Sequence, residues 1–351
     1  MSSGGRPSVA VPSAVVGSEL ERRALAHDAS HYLLQPAAVV RPRSAADMGN
    51  LFRAVARHGL GLTFRAGGTS LSGQSVTDQV LVDVRRNFRG VEVLDGGRRV
   101  RVQPGATVRQ VNARLAPYGH KLGPDPASEA ACTIGGVVAN NSSGMACGTD
   151  ANTYRTLESL VFVLPSGTRV DTADPDADRR LRELEPTLHE GLLRLRDRVR
   201  GDPASVRTIE RQFSMKNTMG YGLNSFLDHD EPVRILEHLM VGSEGTLGFV
   251  AQAVFRTVEI LPFASTGLLV FPDLAAATRT VPALVAARSA TVELLDATSL
   301  KVSQRTGLAP AQILDVDVRG HAALLVEYQG RTREEARELS AGAAQLFRTL
   351  D

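Results

Sequence analysis

The chain of 351 residues contains no tryptophan, only two cysteines, and aromatic residues at 5%. Cys132 and Cys147 belong to no CxxC pair, so they can build neither a disulfide framework nor a four-cysteine zinc or iron–sulfur site. A reducing, cytoplasmic setting fits that usage, with contact at the inner face of a membrane the only membrane association left open. An excess of one charge is also lacking. Basic residues number 40 and acidic 38, a net +2, which leaves no basic face of the kind a nucleic-acid binder needs. No stretch approaches the ~18 unbroken apolar residues of a membrane span, and residues 1–17 lack the basic-then-apolar order of a signal peptide. What remains is 43% hydrophobic and 22% charged, the composition of a globular protein with length for about two domains.

Residues 1–17, rich in Ser, Gly and Pro, read as a disordered tail. Ser18 can cap a helix carrying Leu20 and Leu25. Ala38 to Val40 reads as a strand, Ser44 to His58 as a helix with Met48, Leu51, Phe52 and Val55 inward, and Leu60 to Arg65 as a second strand. That is a βαβ unit ending at a glycine-rich loop. Val80 to Val84 and Arg98 to Gln103 are further strands, and Val108 to Tyr118 is an amphipathic helix ended by Gly119. Leu157 to Val170 has a hairpin pattern around Pro165-Ser166-Gly167, and Pro186 to Arg200 reads as a charged surface helix. Near residue 260 a new run of strands and helices begins, giving domains at 18–259 and 260–351, the second of which reads as incomplete. No internal repeat is present.

Three segments carry chemistry. Arg65-Ala66-Gly67-Gly68-Thr69-Ser70-Leu71-Ser72-Gly73-Gln74 follows a strand and can turn successive backbone N–H groups toward one anion such as a pyrophosphate. Gln74 stands where a nucleotide triphosphatase loop needs lysine, and Gly242, Gly245 and Gly248 are spaced by threes, so neither the Walker loop nor the GxGxxG dinucleotide fingerprint is present. The second segment runs from Pro124, Asp125 and Ser128 through Cys132, Thr133, Gly135, Gly136, Asn140, Asn141, Ser143 and Gly144. Its glycines permit backbone contact with a flat ligand, and its neutral polar groups suit a flavin ring and ribityl chain. The third, Gly242 to Val250, leads into a strand.

In this order the segments resemble flavoproteins of the vanillyl-alcohol oxidase type, with a PCMH-type FAD-binding domain. Within that superfamily the chain is most similar to the flavin part of bacterial D-lactate and other D-2-hydroxy acid dehydrogenases fused to an iron–sulfur domain. The landmarks are His27 to Tyr32, Arg65 to Gln74, Asp125 to Gly144, Asn152 to Leu157, Lys216 to Gly222 and Gly242 to Val250.

The resemblance implies an α+β fold: a two-subdomain FAD-binding domain, then an α+β, ferredoxin-like substrate or cap domain. It places the pyrophosphate on Ala66, Gly67, Gly68, Thr69 and Ser70, with Gln74 close by. The rest of the FAD falls on Pro124, Asp125, Ser128, Cys132, Thr133, Gly135, Gly136, Asn140, Asn141, Ser143 and Gly144, with Glu244, Gly245 and Val250 closing the cleft. Thr69 and Cys132 do not match the attachment positions of covalent relatives, so noncovalent FAD is expected. Lys216, Asn217 and Tyr221 fall on the substrate side. The family's catalytic histidines sit in an HxxGxxH-like motif that none of the eight histidines here occupies; no base and no metal ligand is assigned.

The implied reaction is oxidation of a 2-hydroxy acid, D-lactate to pyruvate first among them, by hydride transfer to flavin N5. Electrons would pass to an iron–sulfur domain or protein, a quinone or a cytochrome outside the chain. A glycolate, sugar or alcohol oxidase, an alkylglycerone-phosphate synthase-like enzyme, or a flavin-binding fragment without turnover are the alternatives.

Overall fold

The structure, a computed structural model, describes residues 17–218, 220–307, 309 and 311–347. The expected N-terminal tail, but for Gly17, lies outside the described residues, as does Met219. Two compact units are formed, one by the residues up to Gly144 with Thr149–Val258, the other by Met145–Gly148 with the chain from Glu259 onward.

The first unit holds two sheets. The smaller is parallel, with strands β1 (Ala38–Val40), β2 (Leu62–Arg65) and β3 (Val80–Asp83) in the order β1-β3-β2. The expected helix, Ala45–Arg57, joins β1 to β2, and Ser44 Oγ caps it by accepting from Asp47 N at 3.1 Å. The two strands of that βαβ unit are not neighbours, because β3 inserts between them. All four residues of β3 are buried, and an unbroken apolar run is what the centre of a parallel sheet requires.

The larger sheet is built from β4 (Val91–Leu94), β5 (Arg99–Val102), β6 (His120–Leu122), β7 (Leu157–Val163), β8 (Arg169–Asp171) and β9 (Phe249–Glu259). Its order is β4-β5-β9-β7-β8, with β6 also paired to β9. The pattern read around Pro165 is the β7–β8 hairpin, paired Val161↔Asp171. Alternation along β7 sends Leu160 and Phe162 into one core with Val100, Val102, Phe255 and the helices Val108–Leu115, Ile134–Ala139 and Pro232–Met240. Val161 and Val163 enter the opposite core with Met48, Phe52, Val82, Val84, Phe88 and Phe249. Phe64 on β2 joins the two sheets: its ring centroid lies 6.1 Å from that of Phe52 and 5.5 Å from that of Phe249, which is 5.2 Å from Phe88. Each such pair adds about 0.5–1.5 kcal/mol beyond its buried area.

Helix Pro232–Met240 is buried on nearly all sides. It carries a fully enclosed carboxylate, Glu237, which accepts from Leu160 N at 3.1 Å, from Arg234 Nη1 at 2.9 Å and from the Thr172 hydroxyl. The next residue, His238, lies 4.1 Å from His229 and 4.7 Å from Tyr154 between ring centroids. Tyr154 in turn donates its hydroxyl to Asp228 Oδ2 at 2.9 Å.

In the second unit β10 (Phe263–Phe271), β12 (Ala322–Gly330) and β11 (Thr291–Leu295) form an antiparallel sheet in that order, in register Leu269↔Leu324 and Leu294↔Leu324. Leu324, Val326 and Tyr328 pack with Ala277 and Leu284 of helix Leu274–Ala286 and with Leu339 of helix Arg333–Phe347. Among the described residues no helix is long and apolar enough to cross a membrane.

Burial and the adjacent His229 hold His238 at about 4, below the ordinary histidine value near 6.5. Between those values the unfolded chain takes up a proton that the folded one refuses, so stability is lost as pH falls through that window, by up to ~3 kcal/mol in all. Chemical denaturation at pH 7 and pH 4.5 should show this fall, and His238→Phe, which keeps a ring in the stack, should flatten it. An unchanged acid slope in the variant would refute this account.

Candidate functional site

Between the two sheets of the first unit lies a cleft of about 350 Å³, and all three chemistry-bearing segments wall it. The first wall is the loop that follows β2. Among the described residues, the N–H groups of Gly67, Gly68, Thr69, Ser70 and Leu71 meet no hydrogen-bond acceptor in the protein. Gly67 to Ser70 are half-buried and Leu71 is exposed, and successive backbone donors left open at a cleft form a cradle for an anion. Gly67 allows the loop to reach the second wall: a Cβ there would lie 2.6 Å from Ala131 O and 2.8 Å from Cys132 Cα. Gly68, at φ +71°, reverses the chain immediately afterwards.

The second wall is the helix Ile134–Ala139 and its approach. Ile134 N and Gly135 N donate to Ala106 O and Pro104 O, both at 2.9 Å, which pins the helix start to the β5 end of the large sheet. Gly136 faces open space, the one atom near its absent Cβ being Ala66 Cβ at 3.9 Å. Thr133 is buried, and its hydroxyl has no hydrogen-bond partner. A flat ligand lying on Gly136 and accepting from Thr133 Oγ1 answers both features. The third wall follows helix Pro232–Met240, where Gly242 N donates to Val138 O at 3.0 Å and Glu244 N to Ala139 O at 2.8 Å. Glu244 has a left-handed backbone (φ +51°) and a half-buried carboxyl without a donor; burial pushes its pKa up. Among the described residues, no lysine, arginine, aspartate or histidine lines the cleft.

Of the residues expected to hold the cofactor, the structure brings together Ala66, Gly67, Gly68, Thr69, Ser70, Gln74, Ser128, Cys132, Thr133, Gly135, Gly136, Asn140, Glu244, Gly245 and Val250. Pro124, Asp125, Asn141, Ser143 and Gly144 stand outside the lining. Asn141 is instead a buried cross-tie: its Oδ1 accepts from Tyr154 N at 3.1 Å and its Nδ2 donates to Asn217 O at 3.3 Å. Gly144 packs against the Asp125 carbonyl. Lys216, Asn217 and Tyr221 also lie off the lining, on a loop fastened to it. Lys216 Nζ donates to Gly144 O at 3.4 Å, and the Tyr221 and Thr246 hydroxyls are 2.7 Å apart. The sequence reading did not single out the apolar walls Phe64, Val84, Pro104, Val137, Met240 and Phe249. In sequence these are ordinary core residues; only the sheet order shows which of them line the cleft.

A two-sheet domain whose cleft offers an open strip of N–H groups beside a neutral, glycine-backed wall is that of a non-Rossmann flavin binder. The FAD binding domain family matches residues 36–173 and the C-terminal domain of FAD linked oxidases matches residues 261–350, so the chain carries a PCMH-type FAD-binding domain, with FAD as its cofactor, followed by an FAD-linked-oxidase C-terminal domain. It is 27% identical over 293 residues to D-2-hydroxyglutarate dehydrogenase of Haemophilus influenzae, covering 81% of this chain and 28% of that protein. The enzyme of the same description from Pantoea ananatis is 30% identical over 296 residues, covering 82% and 29%. A D-lactate dehydrogenase of Archaeoglobus fulgidus is 27% identical over 235 residues, covering 64% and 41%. Among solved structures, alkyldihydroxyacetonephosphate synthase shares the fold with a TM-score of 0.63 at 16% identity, over 97% of this chain and 57% of that one. The matched regions thus span under a third of the length of the D-2-hydroxyglutarate dehydrogenases.

Two substitutions separate the roles of the glycines. Gly136→Ala should raise the melting temperature of the apoprotein, since alanine is the better helix residue by about 0.5–1 kcal/mol, yet weaken FAD because the methyl enters the cleft. Gly67→Ala should lower both, with FAD affinity down by about tenfold or more as the loop is forced off Ala131 and Cys132. Fluorescence titration of the apoproteins with FAD, beside thermal melts, measures both effects. A Gly136→Ala protein that binds FAD like the parent would remove the ligand from that wall.

Proposed function

We propose that the chain takes part in the FAD-dependent oxidation of a D-2-hydroxy acid, with FAD held noncovalently on Ala66 to Ser70, the Cys132–Asn140 wall and Glu244 to Val250. The observation that carries this reading is the strip of five unmet N–H groups at the head of a neutral cleft. Held on Ala66 to Ser70 and the Cys132–Asn140 wall, bound FAD would supply the electron acceptor for converting a 2-hydroxy acid into a 2-oxo acid. The chain's own residues orient and dry the cofactor. Phe64, Val84, Met240 and Phe249 supply apolar wall, and Gly135 and Gly136 allow backbone contact. Cys132 is the one thiol in the lining, and burial pushes its pKa up, which leaves it a poor nucleophile and favours noncovalent attachment.

The substrate reading moves from D-lactate toward a D-2-hydroxy dicarboxylate. The D-2-hydroxyglutarate dehydrogenases align over 81–82% of the chain, the D-lactate dehydrogenase over 64%. Lys216, whose ammonium makes only a long contact to Gly144 O, is suited to a substrate carboxylate. Electrons would continue to an acceptor outside the chain, an iron–sulfur protein or domain, a quinone or a cytochrome.

An anaerobic visible spectrum of the purified flavoprotein, recorded with D-2-hydroxyglutarate, D-lactate, glycolate and the two L-enantiomers, tests the reaction. Bleaching of the oxidised-flavin band by D-2-hydroxyglutarate and not by the L-forms is expected, and D-lactate alone bleaching it would return the reading to lactate. A band that no hydroxy acid touches would sink it. Acid precipitation of the same sample should leave the yellow colour in the supernatant, and flavin retained in the pellet would overturn noncovalent attachment.

A further inference from the structure

The cleft wall has no cation, yet one lies directly behind its anion cradle. Arg65 ends β2 and is only 6% exposed. Its Nη1 donates to Ser75 O at 3.3 Å and its Nη2 to His27 O at 2.7 Å, both neutral carbonyls, while Nε is enclosed without an acceptor. Among the described residues no carboxylate stands within ion-pair distance of the guanidinium. The nearby acids are engaged elsewhere: Asp28 accepts from Ser30 N and Ser75 Oγ, and Asp83 pairs with Arg85 and Arg41. Burying a guanidinium whose hydrogen bonds go only to neutral carbonyls is costly; burial and the like charge of Arg85 lower its pKa, and Asp28 and Asp83, beyond ion-pair distance, offset this only in part.

The placement supplies a reason. The guanidinium lies flat against Gly68, so that a Cβ on this residue would sit 2.6 Å from Arg65 Cζ and Nε, and Gly68 itself lines the cleft. We propose that Arg65 is the positive charge against which the diphosphate of the bound dinucleotide is held, acting through the single layer of backbone at Gly68, and that this diphosphate is its missing counterion. The inference rests on the cleft reading above and adds a residue absent from the lining. It also gives a role to the segment His27–Leu33, which precedes the matched FAD binding domain. His27 O takes the guanidinium, Ala29 N donates to Gly68 O at 3.0 Å, and His27 bridges to Leu33, so this segment clamps both the cation and the loop in front of it.

The test separates charge from fold by comparing FAD with riboflavin, which shares the ring and ribityl chain but lacks the diphosphate. Apoproteins of the parent chain and of Arg65→Met, Arg65→Gln and Arg65→Lys are titrated with each flavin by fluorescence, with thermal melts alongside. The neutral variants should bind FAD about ten- to hundredfold more weakly while riboflavin changes by less than about threefold, and Arg65→Lys should keep most of the preference for FAD. An unchanged FAD-to-riboflavin ratio in a neutral variant overturns the proposal. So does a folded lysine variant that no longer prefers FAD over riboflavin, a comparison with the parent alone that decides even where the neutral variants fail to fold. A parent protein that binds FAD no better than riboflavin would instead remove the diphosphate from the loop, and the cleft reading would fall together with the proposal.

Discussion

The backbone of Gly67 lying on Ala131 and Cys132 is the contact from which the site follows. Two peptide segments can approach this closely only where one has no side chain, and the approach leaves the N–H groups of Gly67 and the next four residues without protein partners at the mouth of a cleft. Everything around it resists relaxation. β2 delivers the loop from a parallel sheet whose centre is the fully buried β3, and Phe64, three residues before Gly67, is locked among Phe52, Phe249 and Phe88 across the sheet boundary. On the far side Ala106 O and Pro104 O hold the start of the facing helix. The open donors are thus held in place at the cleft by two rigid neighbours.

The third wall is set by a different device. Glu244 and Gly245 follow directly on helix Pro232–Met240, and that helix is positioned by its enclosed carboxylate, Glu237, whose oxygens reach Leu160 on β7, Thr172 after β8, and Arg234. A buried acid with three donors is worth little as net stabilisation, but leaving those donors unpaired is costly, so the helix has one seating and not several. The same helix carries His238 onto His229 and Tyr154, and Asn141 links Tyr154 to the loop bearing Lys216 and Tyr221. The cofactor wall and the proposed substrate-side loop therefore rest on one polar scaffold.

How much of this was legible in the sequence depends on how local the signal is. The helix at 45–57, the β7–β8 hairpin and the glycine loop announce themselves through caps, turn residues and periodicity, and they stand where those features put them. The order β1-β3-β2 was not visible, because it follows from which strand is apolar on both faces once the sheet is assembled. Helix Pro232–Met240 was not singled out although Arg234, Glu237 and His238 form a polar i, i+3, i+4 stripe; that stripe is largely buried, and its partners Thr172, Leu160 and His229 come from elsewhere in the chain. Asn141 and Gly144 read as ligand groups because they are small, polar and flanked by true cleft residues. Asn141 spends its amide on Tyr154 and Asn217 instead, and such tertiary partners leave no mark in the neighbouring sequence. Arg65 was read only as the start of the loop, for the same reason.

The charge arrangement around the cleft is economical in what it asks of a ligand. A wall of glycine, serine, threonine and asparagine has no ion to desolvate when a flat ring is laid on it, so contact there is gained at little electrostatic cost. The one carboxyl in the lining, Glu244, is half-buried without a donor, and burial drives it toward the neutral form, which lessens its repulsion of an anionic cofactor. Positive potential comes from unpaired N–H groups and, on the inference drawn from Arg65, from a cation held one backbone layer away, where solvent cannot screen it well. Such a wall recognises an extended, singly anchored dinucleotide and holds no charged group that would single out one short hydroxy acid from another. On the proposed function, discrimination among substrates then falls to charges outside the lining, and Lys216 on the loop tied to Gly144 is the one suited to a substrate carboxylate.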